Sequence, residues 1–124
     1  MAGRRYLTSS EAAAALRRGS QIEQFLGRSN DNRRPTVRWL SAYPSGRAFE
    51  LVVHHVEDIG TEGFFDVSEF PPLDDEEYVG EGRSVAAEVE PGLILDAAEL
   101  HGARPDRWVN AGVVQDEYRD SRVT

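Results

Sequence analysis

His54 and His55 are adjacent in the chain, and His101 is the only other histidine. Imidazole is the side chain best suited to acid–base work or metal ligation near neutral pH. The pair lies in a segment that alternates Phe49, Leu51, Val53 and His55 against Glu50, Val52, His54 and Val56. Successive side chains of a strand point to opposite faces, so the two imidazoles cannot readily share one metal ion. A two-histidine, one-carboxylate centre would need His101 from a distant segment, and no HxxxH or HxH spacing supports one. One imidazole is therefore expected in a hydrogen-bonded core or interface position, and one can pair with Asp58, Asp66 or Glu69. His54, His55 and Asp58 are the candidates for a small-ligand or metal-dependent enzyme built on sheet histidines and carboxylates. No cofactor is implied: there is no GxSxG elbow, and Gly80-Glu81-Gly82 has neither the GxGxxG nor the P-loop spacing.

The second stretch that could do chemistry runs from Glu57 to Glu81. It holds ten carboxylates and no cation, interleaved with Phe64, Phe65, Phe70, Leu73 and Tyr78. An aromatic side chain left exposed inside an acidic rim suits capture of a basic protein, with charge steering the encounter and the ring supplying the grip. The candidate partner-binding residues are Glu62, Phe64, Asp66, Phe70, Asp74, Asp75, Glu76, Glu77 and Tyr78. The competing expectation is a solvated acidic edge whose charges deter edge-to-edge strand pairing.

Charge is distributed unevenly around this stretch. The net charge is −8, every cation is arginine, and residues 1–47 carry +6 while residues 48–124 carry −14. The simplest expectation is that the two parts pack together and neutralise each other. Arg33, Arg34 and Arg38 beside Trp39 resemble a nucleic-acid patch with a stacking aromatic. Trp39 alternates with Val37 as a core residue would, and the acidic remainder repels phosphate, so nucleic acid is disfavoured as a partner.

The elements that must position these residues follow from capping and periodicity. Thr8-Ser9-Ser10-Glu11 is a capping box ahead of an alanine-rich helix that Gly19 ends. Ser20-Gln21-Ile22-Glu23 reads as a second capping box, opening a short helix with Ile22, Phe25 and Leu26 on its apolar face and Gly27 closing it. Arg28 to Pro35 reads as an exposed loop. Thr36–Tyr43 and Ala48–Glu57 form an antiparallel hairpin about Pro44-Ser45-Gly46. Phe64–Phe70 reads as a third strand ended by Pro71-Pro72. Ser84–Val89 reads as a fourth, with Val85, Ala87 and Val89 on one side. Pro91 opens a helix that Gly102 ends. Pro105 opens another, kinked near Gly112, in which Trp108 and Tyr118 share a side and Asn110 and Gln115 bond to backbone.

The expected architecture is α+β: an antiparallel sheet of three to four strands with two short N-terminal helices and two C-terminal helices, in one domain over 1–124. Cysteine is absent, which removes disulfides and thiolate chemistry. Met1 to Thr8 is basic and polar with no apolar run behind it, and no stretch approaches the ~20 apolar residues of a membrane span. A cytoplasmic protein is expected, with a protein partner or a second copy of itself and no membrane contact. No motif is specific enough to name a family. The first functional expectation is a small acidic interaction module binding a basic protein; bacterial immunity-type proteins are analogous in size and charge only. The alternatives are the enzyme reading above and a self-associating structural domain whose opposite charge poles dock between copies.

Overall fold

Three strands joined by tight turns form the centre of the molecule: β1 (Ile22–Asp31), β2 (Arg34–Ser45) and β3 (Ala48–Glu57). The computed structural model describes residues 5–122, so the first four residues of the basic N-terminal stretch lie outside it. Helix α1 (Ser9–Arg17) precedes the sheet; β4 (Arg83–Glu88), α2 (Pro91–Glu99), the two-residue strand β5 (Val109–Asn110) and α3 (Val113–Ser121) follow it. The strands make one antiparallel sheet in the order β4-β3-β2-β1-β5. Five strands and three helices replace the three to four strands and four helices expected, and the class is α+β. Among the described residues no helix is long and apolar enough to cross a membrane.

The largest correction is the second N-terminal helix, which is strand β1. Ile22, Phe25 and Leu26 suit a short helical face, but Ile22, Gln24 and Leu26 suit one face of a strand equally well. The ladder to β2 decides between them, from Ile22 opposite Ala42 to Asp31 opposite Arg34, with a bulge between Phe25 and Gly27. The expected loop 28–35 is thus the end of a hairpin. Asn32 (φ 51°) and Arg33 (φ 67°) make its two-residue turn in the left-handed region such turns require.

Each face of the sheet carries a packed cluster. On one, α1 and α2 pack Ala12, Leu16, Ile94, Leu95 and Ala98 against Ile22, Leu40, Ala42, Leu51 and Val53, with Trp108 closing the cluster. On the other, Val37, Trp39 and Val56 meet Val67, Phe70, Val114 and Tyr118. Trp108 and Tyr118 therefore serve opposite faces, because β5 and Gly112 interrupt the helix expected to carry both. Buried Glu23 holds the start of α3 by accepting from Gly112 N at 2.8 Å. Buried Gln24 pairs with the Arg104 backbone in both directions, at 2.6 and 3.0 Å, in the manner of a strand neighbour.

Two further expectations are corrected. Phe64–Phe70 contains a 3₁₀ turn (Val67–Glu69) instead of a strand. Its buried residues, Val67 and Phe70, are three apart, the spacing that one face of a 3₁₀ turn buries. Strand β4 lies where a fourth strand is predicted, but a bulge puts both Val85 and Ala86 against the helix-side core and leaves Ala87 and Val89 exposed. The hairpin β2–β3, the capping box on α1 and the proline start of α2 are as predicted.

Candidate functional site

The acidic segment leaves the sheet at the end of β3 and returns at β4. Its path is held by backbone bonds beside β3: Glu57 N donates to Pro71 O at 2.8 Å and Leu73 N to His55 O at 3.2 Å. At its base the Asp58 carboxylate, with only 2% of its side chain exposed, accepts from Arg28 Nε at 2.8 Å, from Arg122 at 3.3 Å and from the Tyr118 hydroxyl. Desolvation pushes Asp58 upward, but the Tyr118 and Arg28 hydrogen bonds and the two guanidinium charges outweigh it, and its pKa lies below the ordinary value. Asp58 is thus bound up in joining β1, the excursion and α3, and is not free to ligate anything. Gly60 is buried two residues on, where an added Cβ would collide with Tyr118 and come within 2.7 Å of Phe70 Cζ. Gly60→Ala is expected to cost about 2 kcal/mol through overpacking, measured as a lower urea midpoint with unchanged slope.

The predicted partner-binding residues fall into two groups. Phe70 is fully buried, edge-on to Tyr118 at 5.2 Å, so its ring anchors the excursion and cannot meet a partner. Asp66 caps the 3₁₀ turn, accepting from Ser68 N at 3.1 Å. Glu62 and Phe64 are exposed at an earlier turn, where Phe64 leans edge-on against Phe70. Asp74, Asp75, Glu76 and Tyr78 are exposed and Glu77 is half-buried. Tyr78 keeps 78% of its surface, and Val79 beside it keeps 55%. This tip is tied by its own bonds: Glu76 N to Asp74 Oδ1 at 2.9 Å, Glu77 N to Asp74 O at 3.1 Å and Glu81 N to Tyr78 O at 3.0 Å. Val79 and Ile59, both exposed, were missed from sequence. The available signal for Val79 was an apolar pair standing alone between carboxylates, in a segment with no alternation to bury it.

The histidines point to opposite faces, as the strand reading requires. His54 is buried, its ring stacked on Trp39 at 3.7 Å and its Nε2 3.0 Å from Ser41 Oγ. Burial alone lowers its pKa to about 4, so the ring is neutral near pH 7. A serine–histidine contact is the beginning of a nucleophilic dyad. Here both side chains are buried, and the Gly82 backbone seals the ring: a Cβ at Gly82, which has φ +69°, would lie 2.7 Å from His54 Nδ1. The pair is a core hydrogen bond between β2 and β3, covered by the backbone where the excursion returns. His55 faces the other way, opposite Arg38, with Asp31 Oδ2 3.8 Å from its Nε2. Burial lowers its pKa, and the Arg38 and Arg83 charges add to that against the pull of Asp31. Among the described residues no group of three or more histidines and carboxylates is arranged to hold a metal ion.

Comparison with known proteins adds no relative. No family model, curated protein or solved structure matches the chain. Its chemistry must therefore be read from charge and exposure. The expected neutralisation by the N-terminal arginines is partial. Arg28 takes Asp58 and Arg34 takes Glu57, both at the root of the excursion. Glu62, Glu69, Asp74, Asp75, Glu76 and Glu81 are exposed and have no ion pair among the described residues. The outcome is an excursion rooted by buried charge and carrying uncompensated negative charge at an ordered tip.

Proposed function

We propose that the chain is a small interaction module that captures a basic protein partner through the tip Asp74–Glu81, with Tyr78 and Val79 as the apolar grip. The observation that carries this reading is a tyrosine with 78% of its surface in water on a loop ordered by its own hydrogen bonds. Large apolar groups left exposed on an ordered surface commonly mark contact sites, and a loop already held in shape loses little entropy on binding. The acids around the tip supply long-range attraction for a cationic surface. Residues Glu62, Phe64 and Ile59 form a second, smaller contact on the same excursion. In this reading the protein works in the cytoplasm.

The test is co-purification from the native host followed by binding measurements on the protein recovered. Tyr78→Ala is expected to weaken binding by about 2 kcal/mol, chiefly through faster dissociation. Reversal of Asp74, Asp75, Glu76 and Glu77 to lysine is expected to slow association by about tenfold or more and to abolish the salt dependence. Binding indifferent to both changes sinks the reading. A second copy as the partner would show as salt-dependent mass in light scattering, and a strict monomer at all salts removes it.

A further inference from the structure

The face of the sheet that bears α1 and α2 is not covered along its whole length. Helices α1 and α2 pack over Ile22, Leu40, Ala42, Leu51 and Val53. Beyond them, the same face carries Thr36, Arg38, His55 and Arg83 around an open cleft of about 350 Å³, with Ser29 and Asp31 at its β1 side. A smaller hollow of about 110 Å³ shares Val53, His55 and Arg83 and continues the cleft toward Leu73, Asp74 and Glu77.

Register explains the convergence. Arg38 stands opposite His55 on β3, and Arg83 stands opposite Val53, two residues along on the same face. The two arginines therefore flank His55 from either side of β3, two strand spacings across and two residues along, roughly 12 Å apart at the backbone. That separation lets two long side chains close on one small group. Neither guanidinium has a hydrogen bond or ion pair among the described residues, although carboxylates are abundant. Thr36 is 1% exposed, and its hydroxyl has no hydrogen-bond partner. Ser29 lies directly across from it on β1. A buried hydroxyl without a partner costs free energy. Glu77 feels Arg83 from the smaller hollow and Asp31 lies 3.8 Å from the His55 ring, but neither carboxylate closes a contact with a guanidinium.

We propose that this cleft binds a tetrahedral oxyanion, the phosphate group of a small molecule, through Arg38 and Arg83 with the Thr36 and Ser29 hydroxyls. Two guanidinium forks and two hydroxyls offer more donors than the two oxygens of a carboxylate can use, whereas a phosphate presents enough acceptors for both forks. The organic part extends over Val53 and Leu73. Asp74 and Glu77 at that end select a neutral or cationic group and repel a second anion. The site meets the exposed tip only at Asp74 and Glu77, and it does not depend on the protein-binding reading.

The test is an NMR titration of the full chain with inorganic phosphate and with phosphoethanolamine, using acetate as the control. Saturable shifts confined to Arg38, His55, Arg83 and Thr36 are expected, with acetate binding about tenfold more weakly or worse. An added dianion between the arginines also raises the pH at which the His55 ring titrates, in the same direction as the Asp31 carboxylate and against the Arg38 and Arg83 charges, with Asp74 and Glu77 lining the hollow beyond. Tighter binding of phosphoethanolamine identifies an ester as the ligand, and tighter binding of inorganic phosphate identifies the free ion; both support the site. R38Q/R83Q, at two exposed positions, should weaken binding by about a hundredfold. Thr36→Val, which keeps shape and removes the unpartnered hydroxyl, should weaken binding severalfold without loss of thermal stability. Tyr78→Ala should bind phosphate as the parent does. Shifts that fail to saturate, that spread over unrelated arginines, or that persist in R38Q/R83Q overturn the proposal.

Discussion

Asp58→Ala is expected to lower unfolding stability by about 3 kcal/mol, the low end of what breaking a buried ion cluster costs. The low end applies because Arg28 and Arg122 keep 35% and 28% of their side chains in water and can be rehydrated, while Asp58 keeps 2%. Most of the loss comes from the Tyr118 hydroxyl, left without its acceptor beside the Phe70 ring, and from the Arg28 and Arg122 guanidiniums, left without their shared carboxylate. Tyr118→Phe alone should cost about 1.5 kcal/mol. The double variant should lose less than the sum of the two, since both act on one network. Urea denaturation of the four proteins measures this. A loss below about 1 kcal/mol for Asp58→Ala would reduce the cluster to an ordinary surface pair. The consequence for function is direct: the acidic excursion holds its course only while its root is charge-balanced, so Asp58→Ala should also loosen the Tyr78 tip.

A loss of stability of about 3 kcal/mol is also expected from His54 as the pH falls from 6.5 to 4. In the folded protein this ring takes its proton only at about 4, while the unfolded chain takes it at the ordinary 6.5. The unfolded state therefore binds the proton first. The contribution is complete above pH 6.5 and is lost progressively down to pH 4. His55, also lowered, adds in the same direction, whereas Glu23, raised by burial, works in the opposite one. Asp58 governs a lower window: its pKa is depressed in the fold, so its contribution is intact above the ordinary carboxylate value of 3.8 and is lost as the pH falls below it. His54→Phe with Ser41→Ala keeps an aromatic ring against Trp39 and removes the titrating group together with its hydroxyl partner. Its stability curve should be flatter than the parent's between pH 6.5 and 4. An unchanged slope there would show that the ring is hydrated in the folded protein.

The two histidines show how far local pattern reaches. Alternation along 49–56 was enough to send them to opposite faces and to assign one to the interior. It could not say that His54 would be the buried one, because both faces of that strand carry apolar side chains. The Trp39 stack and the Gly82 seal come from residues far along the chain. The anion cleft is illegible for the same reason. Ser29 reads as loop, and Arg38, His55 and Arg83 meet only once three strands are in register.

By itself the sequence determined the elements whose signals are strictly local: a capping box with alanines behind it for α1, a turn between two alternating runs for β2–β3, and proline at the start of α2. It also showed a cation-free stretch between Arg47 and Arg83, but the expected neutralisation by the N-terminal arginines holds only at the root of that stretch, at Glu57 and Asp58. Only tertiary structure decided that 22–31 is a strand, that Phe70 is core while Tyr78 is not, and that Trp108 and Tyr118 serve opposite faces. The physical reason is common to all three. Over six to ten residues, helical and strand periodicities fit the same apolar positions about equally well. The balance then passes to tertiary terms: the β1–β2 ladder, whose partners lie up to 20 residues apart, and the burial supplied by α3, whose partners on β1 and β2 are far more distant in the chain.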